Sequence, residues 1–271
     1  MCVLAAVLIV GLAPAAWAQD AQSDPRESKP ERPTVATHAH AVAIGIAELE
    51  TGFQFQHPVP GSSVLSFPVL VKIGLADHLQ LDLAPAFLRT SADGAAVGGL
   101  GDSQIGLKWQ IATGAPAVGD FALQALVKLP TGSTARETGT GTTDLGLLAI
   151  SSREFGPFAL DLNAGYTRRS GDGSRAPVSS TFWTCSLGVE FSDRLGWVAE
   201  VFGYPGTAGP AGSPAVVAFL TGPMLVLRKS LVVDVGAIVN VSGFGGTAAY
   251  AGLTWNMGRL WSPPRRPQPA S

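Results

Sequence analysis

The side chains best suited to acid–base or metal chemistry are the four histidines. His38 and His40 are two residues apart, so on a strand they share a face, but no nearby cysteine or carboxylate completes a ligand set. His57 lies close to Ser62 and Ser63, yet Pro58 and Pro60 intervene. A Ser-His hydrolase needs nucleophile and base on one face, and no His-x-Ser spacing provides that. His78 sits beside Asp77 in what reads as a short turn. Gly139-x-Gly141 lacks the third glycine of a dinucleotide fingerprint and opens a strand, not a helix. Cys2 falls in the apolar N-terminal stretch, leaving Cys185 alone, so no intramolecular disulfide is expected. The expectation is no catalysis, no metal and no cofactor.

The remaining chemistry is ionic, and its spacing is regular. Glu48, Glu50, Lys72, Asp82, Asp102, Lys108, Lys128, Asp144, Asp161, Glu190, Glu200 and Asp234 all fall on one parity of alternating segments. The opposite parity is apolar: Leu49, Thr51, Phe53 and Phe55 first, then Phe67, Val69, Val71 and Ile73, and near the end Val233, Val235, Ala237 and Val239. Period two means strands, and about twelve such segments lie between residues 44 and 261. Short connections at 76–78, 153–157, 192–194 and 228–230 alternate with longer Gly/Ser/Asp-rich ones near 90–101, 131–140, 170–180 and 204–214. The connection 113–119 is long for a turn.

Composition narrows what such strands can build. Only 14% of residues are charged while 46% are hydrophobic, with 33 glycines and 20 prolines. A soluble sandwich would carry more Lys and Glu on its solvent face. The uncharged stretch 201–227 contains Pro205, Pro210, Pro214 and Pro223 and cannot be one spanning helix. A net charge of -2 provides no basic footprint for nucleic acid. An antiparallel transmembrane β-barrel satisfies every count, because a charge at mid-depth is tolerated on the lumen face and costs a few kcal/mol on the lipid face. Trp109, Phe121, Phe158, Phe191, Trp197 and Trp255 fall at the short-turn ends, as an interfacial girdle requires.

The flanks read differently. Residues 1–18 are uncharged and end in Ala16-Trp17-Ala18, a signal-peptidase pattern that predicts export, although the usual basic start is missing. Residues 19–43 mix charges with Pro25, Pro30 and Pro33 and read as a disordered, solvated periplasmic leader. Leu253, Trp255 and Met257 make a last strand and Trp261 a terminal aromatic, with residues 262–271 as a disordered tail.

Lys128-Leu129-Pro130-Thr131-Gly132, followed by Gly139-Thr140-Gly141-Thr142-Thr143-Asp144-Leu145-Gly146, resembles a family of bacterial outer-membrane proteins assigned to transport in the meta-pathway of phenol degradation. Glu50-Thr51-Gly52-Phe53, Phe155-Gly156-Pro157-Phe158 and Asn163-Ala164-Gly165-Tyr166 fit the same pattern, so the resemblance spans nearly the whole mature chain. It implies an outer-membrane channel for aromatic or other small compounds.

The residues themselves supply a lumen with nine acids (Glu48, Glu50, Asp82, Asp102, Asp144, Asp161, Glu190, Glu200, Asp234) against four bases (Lys72, Lys108, Lys128, Arg169). An open pore of that balance favours cations. Inward-parity Leu70, Leu88, Leu126, Leu148, Ile150, Phe202 and Met224 offer an apolar sub-site or simple packing. The expected function is a passive channel for small compounds, with a closed structural barrel as the alternative and a lipid-modifying enzyme behind it. The expected partners are outer-membrane lipid, a small solute and the β-barrel assembly machinery.

Overall fold

The computed structural model describes residues 24–58, 60–92, 94–243 and 245–262. The expected signal peptide, Cys2 and residues 263–271 of the expected tail lie outside the described residues. Fourteen strands form one antiparallel sheet: β1 (Ile46–His57), β2 (Ser62–Ala76), β3 (Leu79–Ala84), β4 (Ala86–Ala92), β5 (Ala95–Leu100), β6 (Ser103–Ala115), β7 (Gly119–Leu129), β8 (Asp144–Phe155), β9 (Phe158–Arg169), β10 (Ser179–Ser192), β11 (Leu195–Tyr204), β12 (Val216–Arg228), β13 (Leu231–Ser242) and β14 (Thr247–Arg259).

β1 pairs with both β2 and β14, which closes the sheet. β3 and β4 are one stave broken at Pro85, because both pair with β2 in continuous register. β5 and β6 are likewise one stave, broken at Gly101 and Asp102. The closed barrel therefore has twelve staves. Closure removes every edge that hydrocarbon could not hydrogen-bond.

Alternation along the staves sorts side chains as the sequence predicts. Phe53, Trp109, Leu147, Phe191, Val235 and Trp255 are exposed on the outer face. Glu48, Lys72, Gln80, Lys108, Glu200 and Thr254 point inward and are fully buried. The stretch near 90–101, read from its Gly and Ser content as a loop, is instead a hairpin: β4 and β5 pair from Phe87↔Leu100 to Ala92↔Ala95. The segment 131–140 folds back with a short 3-10 helix, Thr134–Arg136.

The leader departs most from expectation. A segment rich in charge and proline, without periodicity, reads as solvated, but residues 24–43 run through the inside of the barrel. Among them Ala36, Ala39 and Val42 are buried. The segment starts at the short-turn end, where the amide of Ser28 donates to the carbonyl of Lys229. It climbs to the level of Glu50 and Glu200, then returns to the same end, where Ile44 bridges Gly74 and β1 begins.

Candidate functional site: a lumen filled by the leader

An extended chain with prolines cannot pair its own amides, so inside a barrel it must find acceptors on the wall. The wall supplies them as side chains. Glu48 accepts from the amide of Lys29 at 2.8 Å. Glu50 accepts from those of Glu31 and Arg32 at 2.8 and 3.1 Å. Glu200 takes both Val35 and Ala36 at 2.8 Å, one on each oxygen. Asn163 grips Thr37 in both directions, accepting from its amide and donating to its carbonyl. Ser152 and Gln80 accept from Ala39 and Val42. Carboxylates that accept backbone N–H bonds make charge-assisted contacts, the stronger kind.

Ion pairs complete this tier. Lys72, with a fully buried side chain, bridges Glu48 and Glu50. Lys108, also fully buried, pairs with Glu31 of the leader. Arg32 of the leader reaches Asp234 at 3.4 Å. Asp82 accepts from Gln80 and Gln124. Asp161 accepts from Ser152.

A second ionic tier sits at the opposite, long-loop end. Lys128 bonds Asp102 at 2.6 Å, and Arg169 reaches Asp144 at 3.2 Å. Asp102, in the connection between β5 and β6, also accepts from the amides of Gly132 and Thr140. The Pro-Thr-Gly and Gly-Thr-Gly-Thr-Thr-Asp motif is therefore a loop folded back over the mouth and tied to Asp102 and Lys128. Burial alone would raise the Asp102 pKa, but the Lys128 ammonium and the amide donors outweigh it and hold the carboxyl below its ordinary 3.8. A depressed carboxyl contributes fully above its unfolded pKa and loses that contribution as pH falls through its folded value. The loop is thus fixed at neutral pH and loosens only in strong acid. Asp102→Asn is expected to loosen it at pH 7, read as faster tryptic cleavage at exposed Arg136; cleavage at the wild-type rate would exclude this anchor.

Between the tiers the wall is apolar. Reading inward positions from the long-loop end, β7 runs Lys128, Leu126, Gln124 and β8 runs Asp144, Gly146, Leu148, Ile150, Ser152. Leu148, Ile150, Ala122 and Ala39 cluster, with Leu126 and Phe182 against them. Val198, Phe202, Ala218, Leu220 and Tyr250 form a second cluster. Phe182, Leu220 and Tyr250 were legible only by counting parity through the irregular strands. Of the twelve ionic residues assigned to the lumen, Glu190 alone is exposed, because a register shift between Glu190 and Ser192 ends β10 at the rim.

The histidines take structural places. His38 and His40 approach with ring centroids 5.4 Å apart. His40 faces Asp120 at 3.4 Å in a pocket of about 470 Å³ at the short-turn mouth, lined also by Gly119, Arg153 and Glu154. His57 Nδ1 lies 3.2 Å from the carbonyl oxygen of Ser62, across the β1–β2 turn. Among the described residues no group of three or more His, Cys, Asp or Glu gathers as a metal site.

No family model matches the chain, and no curated protein does. Solved structures do match. An outer-membrane channel from Pseudomonas putida F1 superposes with a TM-score of 0.65, covering 81% of this chain and 98% of that one at 14% identity. The fold is that of an outer-membrane β-barrel. The NanC porin matches this barrel with a TM-score of 0.53 over 77% of this chain and 98% of its own, at 8% identity. At such identities the shared property is the barrel, with its wall turned to lipid and its polar set turned to the lumen.

Proposed function

We propose that the protein is a passive outer-membrane channel for small compounds, held closed at its periplasmic half by its own leader. One observation carries this reading. Glu48, Glu50, Glu200, Asn163, Gln80 and Ser152 accept from the amides of a single chain segment that runs in and out at one end. A barrel built to be solid would pair these six side chains wall to wall. Short turns face the periplasm and long loops the exterior in such barrels, which puts the leader on the periplasmic side and the Asp102-tied loop outside.

The apolar band from Leu126, Leu148 and Phe182 to Phe202 and Tyr250 supports an aromatic or hydrophobic solute, in keeping with the resemblance to phenol-pathway transporters. The wall bonds have a structural alternative, a permanently closed barrel, which the filled lumen favours. The test is single-channel recording of the refolded protein in planar bilayers. Brief openings above the bare-membrane baseline are expected. A heat-modifiable, fully folded barrel that never opens, even with the leader cut away, would leave only the closed reading.

A further inference from the structure

Arg32 occupies a recess that the barrel wall makes by leaving out side chains. Four adjacent staves, β12, β13, β14 and β1, present Gly222, Gly236, Gly252 and Gly52 on their inner faces. A Cβ at Gly252 would stand 2.5–2.7 Å from the Arg32 guanidinium, and one at Gly52 would stand 3.0 Å from it and 2.3 Å from the Ala251 carbonyl oxygen. A Cβ at Gly236 or Gly222 would meet the Tyr250 hydroxyl at 2.2 or 2.7 Å and the neighbouring backbone carbonyl of Thr221 or Val235 at 2.2 or 2.1 Å. Asp234, buried beside them, provides the counter-charge.

Arg32 fills this recess poorly. Its fork reaches Asp234 through one contact of 3.4 Å, where a free guanidinium meets a carboxylate in two bonds of about 2.7–2.9 Å. Its Nε is buried without a hydrogen-bond partner, and so is the Tyr250 hydroxyl, an oxygen able to accept from it. The backbone beside it is anchored, since the Arg32 amide is held by Glu50 and Pro33 follows directly. Buried unpaired donors are costly, and an untethered guanidinium would pair both.

We propose that this recess is a recognition subsite for the guanidinium group of a small cationic solute, and that Arg32 occupies it as a tethered stand-in. The apolar clusters around Phe202, Leu220 and Tyr250 take the solute's hydrocarbon part. A solute that binds here displaces Arg32 and loosens the leader. As the solute class of a channel this rests on the reading above, but its tests measure binding, so a silent barrel and an empty recess are told apart.

The probe is n-butylguanidinium, with n-butylurea as its neutral isostere. Calorimetry on folded Arg32→Ala in detergent is expected to show binding of butylguanidinium that weakens about tenfold or more in Arg32→Ala/Asp234→Asn, consistent with loss of a charge-assisted pair. Equal binding of butylurea, or indifference to Asp234→Asn, overturns the proposal. Because Arg32→Ala could misfold, a second measurement keeps Arg32. Ala36→Cys is buried in the plugged state, in a Cys185→Ser background. Butylguanidinium, and not butylurea, is expected to accelerate its labelling by a maleimide, and an unchanged labelling rate counts against displacement.

Discussion

A barrel lacking residues 24–42 is expected to conduct steadily, with a conductance on the order of tenfold above that of the full chain, and to prefer cations. Steady conduction follows because the leader fills the short-turn half of the lumen from several directions at once, touching β1, β3, β8, β9, β11 and β13. Selectivity follows from what its removal leaves behind. Glu48, Glu50, Glu200 and Asp234 lose the amides of Lys29, Glu31, Arg32, Val35 and Ala36 and the Arg32 charge, and Lys108 loses Glu31. Lys72 and Lys108 remain as the inward cations against those four acids with Asp82 and Asp161. A focused negative field concentrates cations in a narrow low-dielectric passage. The measurement is the reversal potential in a salt gradient. Glu48→Gln, Glu50→Gln and Glu200→Gln together in the truncated barrel are expected to shift it toward zero. An anion-selective truncated barrel, or one no more conductive than the full chain, contradicts the leader's role as the plug. If truncation impairs folding, Ala39→Cys/Ser152→Cys offers a reversible version, since the amide of Ala39 already lies 2.8 Å from the Ser152 hydroxyl. Oxidation is expected to silence the barrel and reduction to restore its openings.

Replacing Lys72 by Met is expected to destabilise the folded barrel by about 3–5 kcal/mol, the cost of breaking a buried ion pair by removing one partner. Lys72, Glu48 and Glu50 are all essentially without solvent contact. Lys72 alone bridges both carboxylates, and without it two like charges stand side by side on the inner face of β1, sealed from water by the leader. Unfolding in urea from detergent micelles, followed by the loss of heat-modifiable migration, measures the change. Lys72→Met/Glu48→Gln/Glu50→Gln is expected to recover much of it, because the unpaired charges are then gone. A loss below about 1 kcal/mol in the single variant would mean that water reaches these carboxylates.

The barrel was legible in the sequence because one rule operates along the staves: charge keeps to one parity, and the other carries it only toward strand ends, as at Arg89 and Arg168. Lys72 and Asp82 could be placed inward from their neighbours alone. The leader obeys no such rule. Lys29, Glu31 and Arg32 find their partners on staves distant in the chain, and nothing in their spacing encodes Glu50, Lys108 or Asp234. One signal was available: nine inward acids against four bases leave acceptors that need donors, and an extended, proline-interrupted leader has backbone amides to give. Period-two counting also missed the β4–β5 hairpin. Ala95-Ala96-Val97-Gly98-Gly99 lacks the alternation that a half-buried strand needs, because both of its faces are largely exposed.

The leader precedes β1, yet its hydrogen-bond partners extend from Glu48 to Asn256. Its docking site is complete only when β14 has joined β1. A half wall offers only part of these partners, so the full set of leader contacts reports that staves from both ends of the chain stand in register.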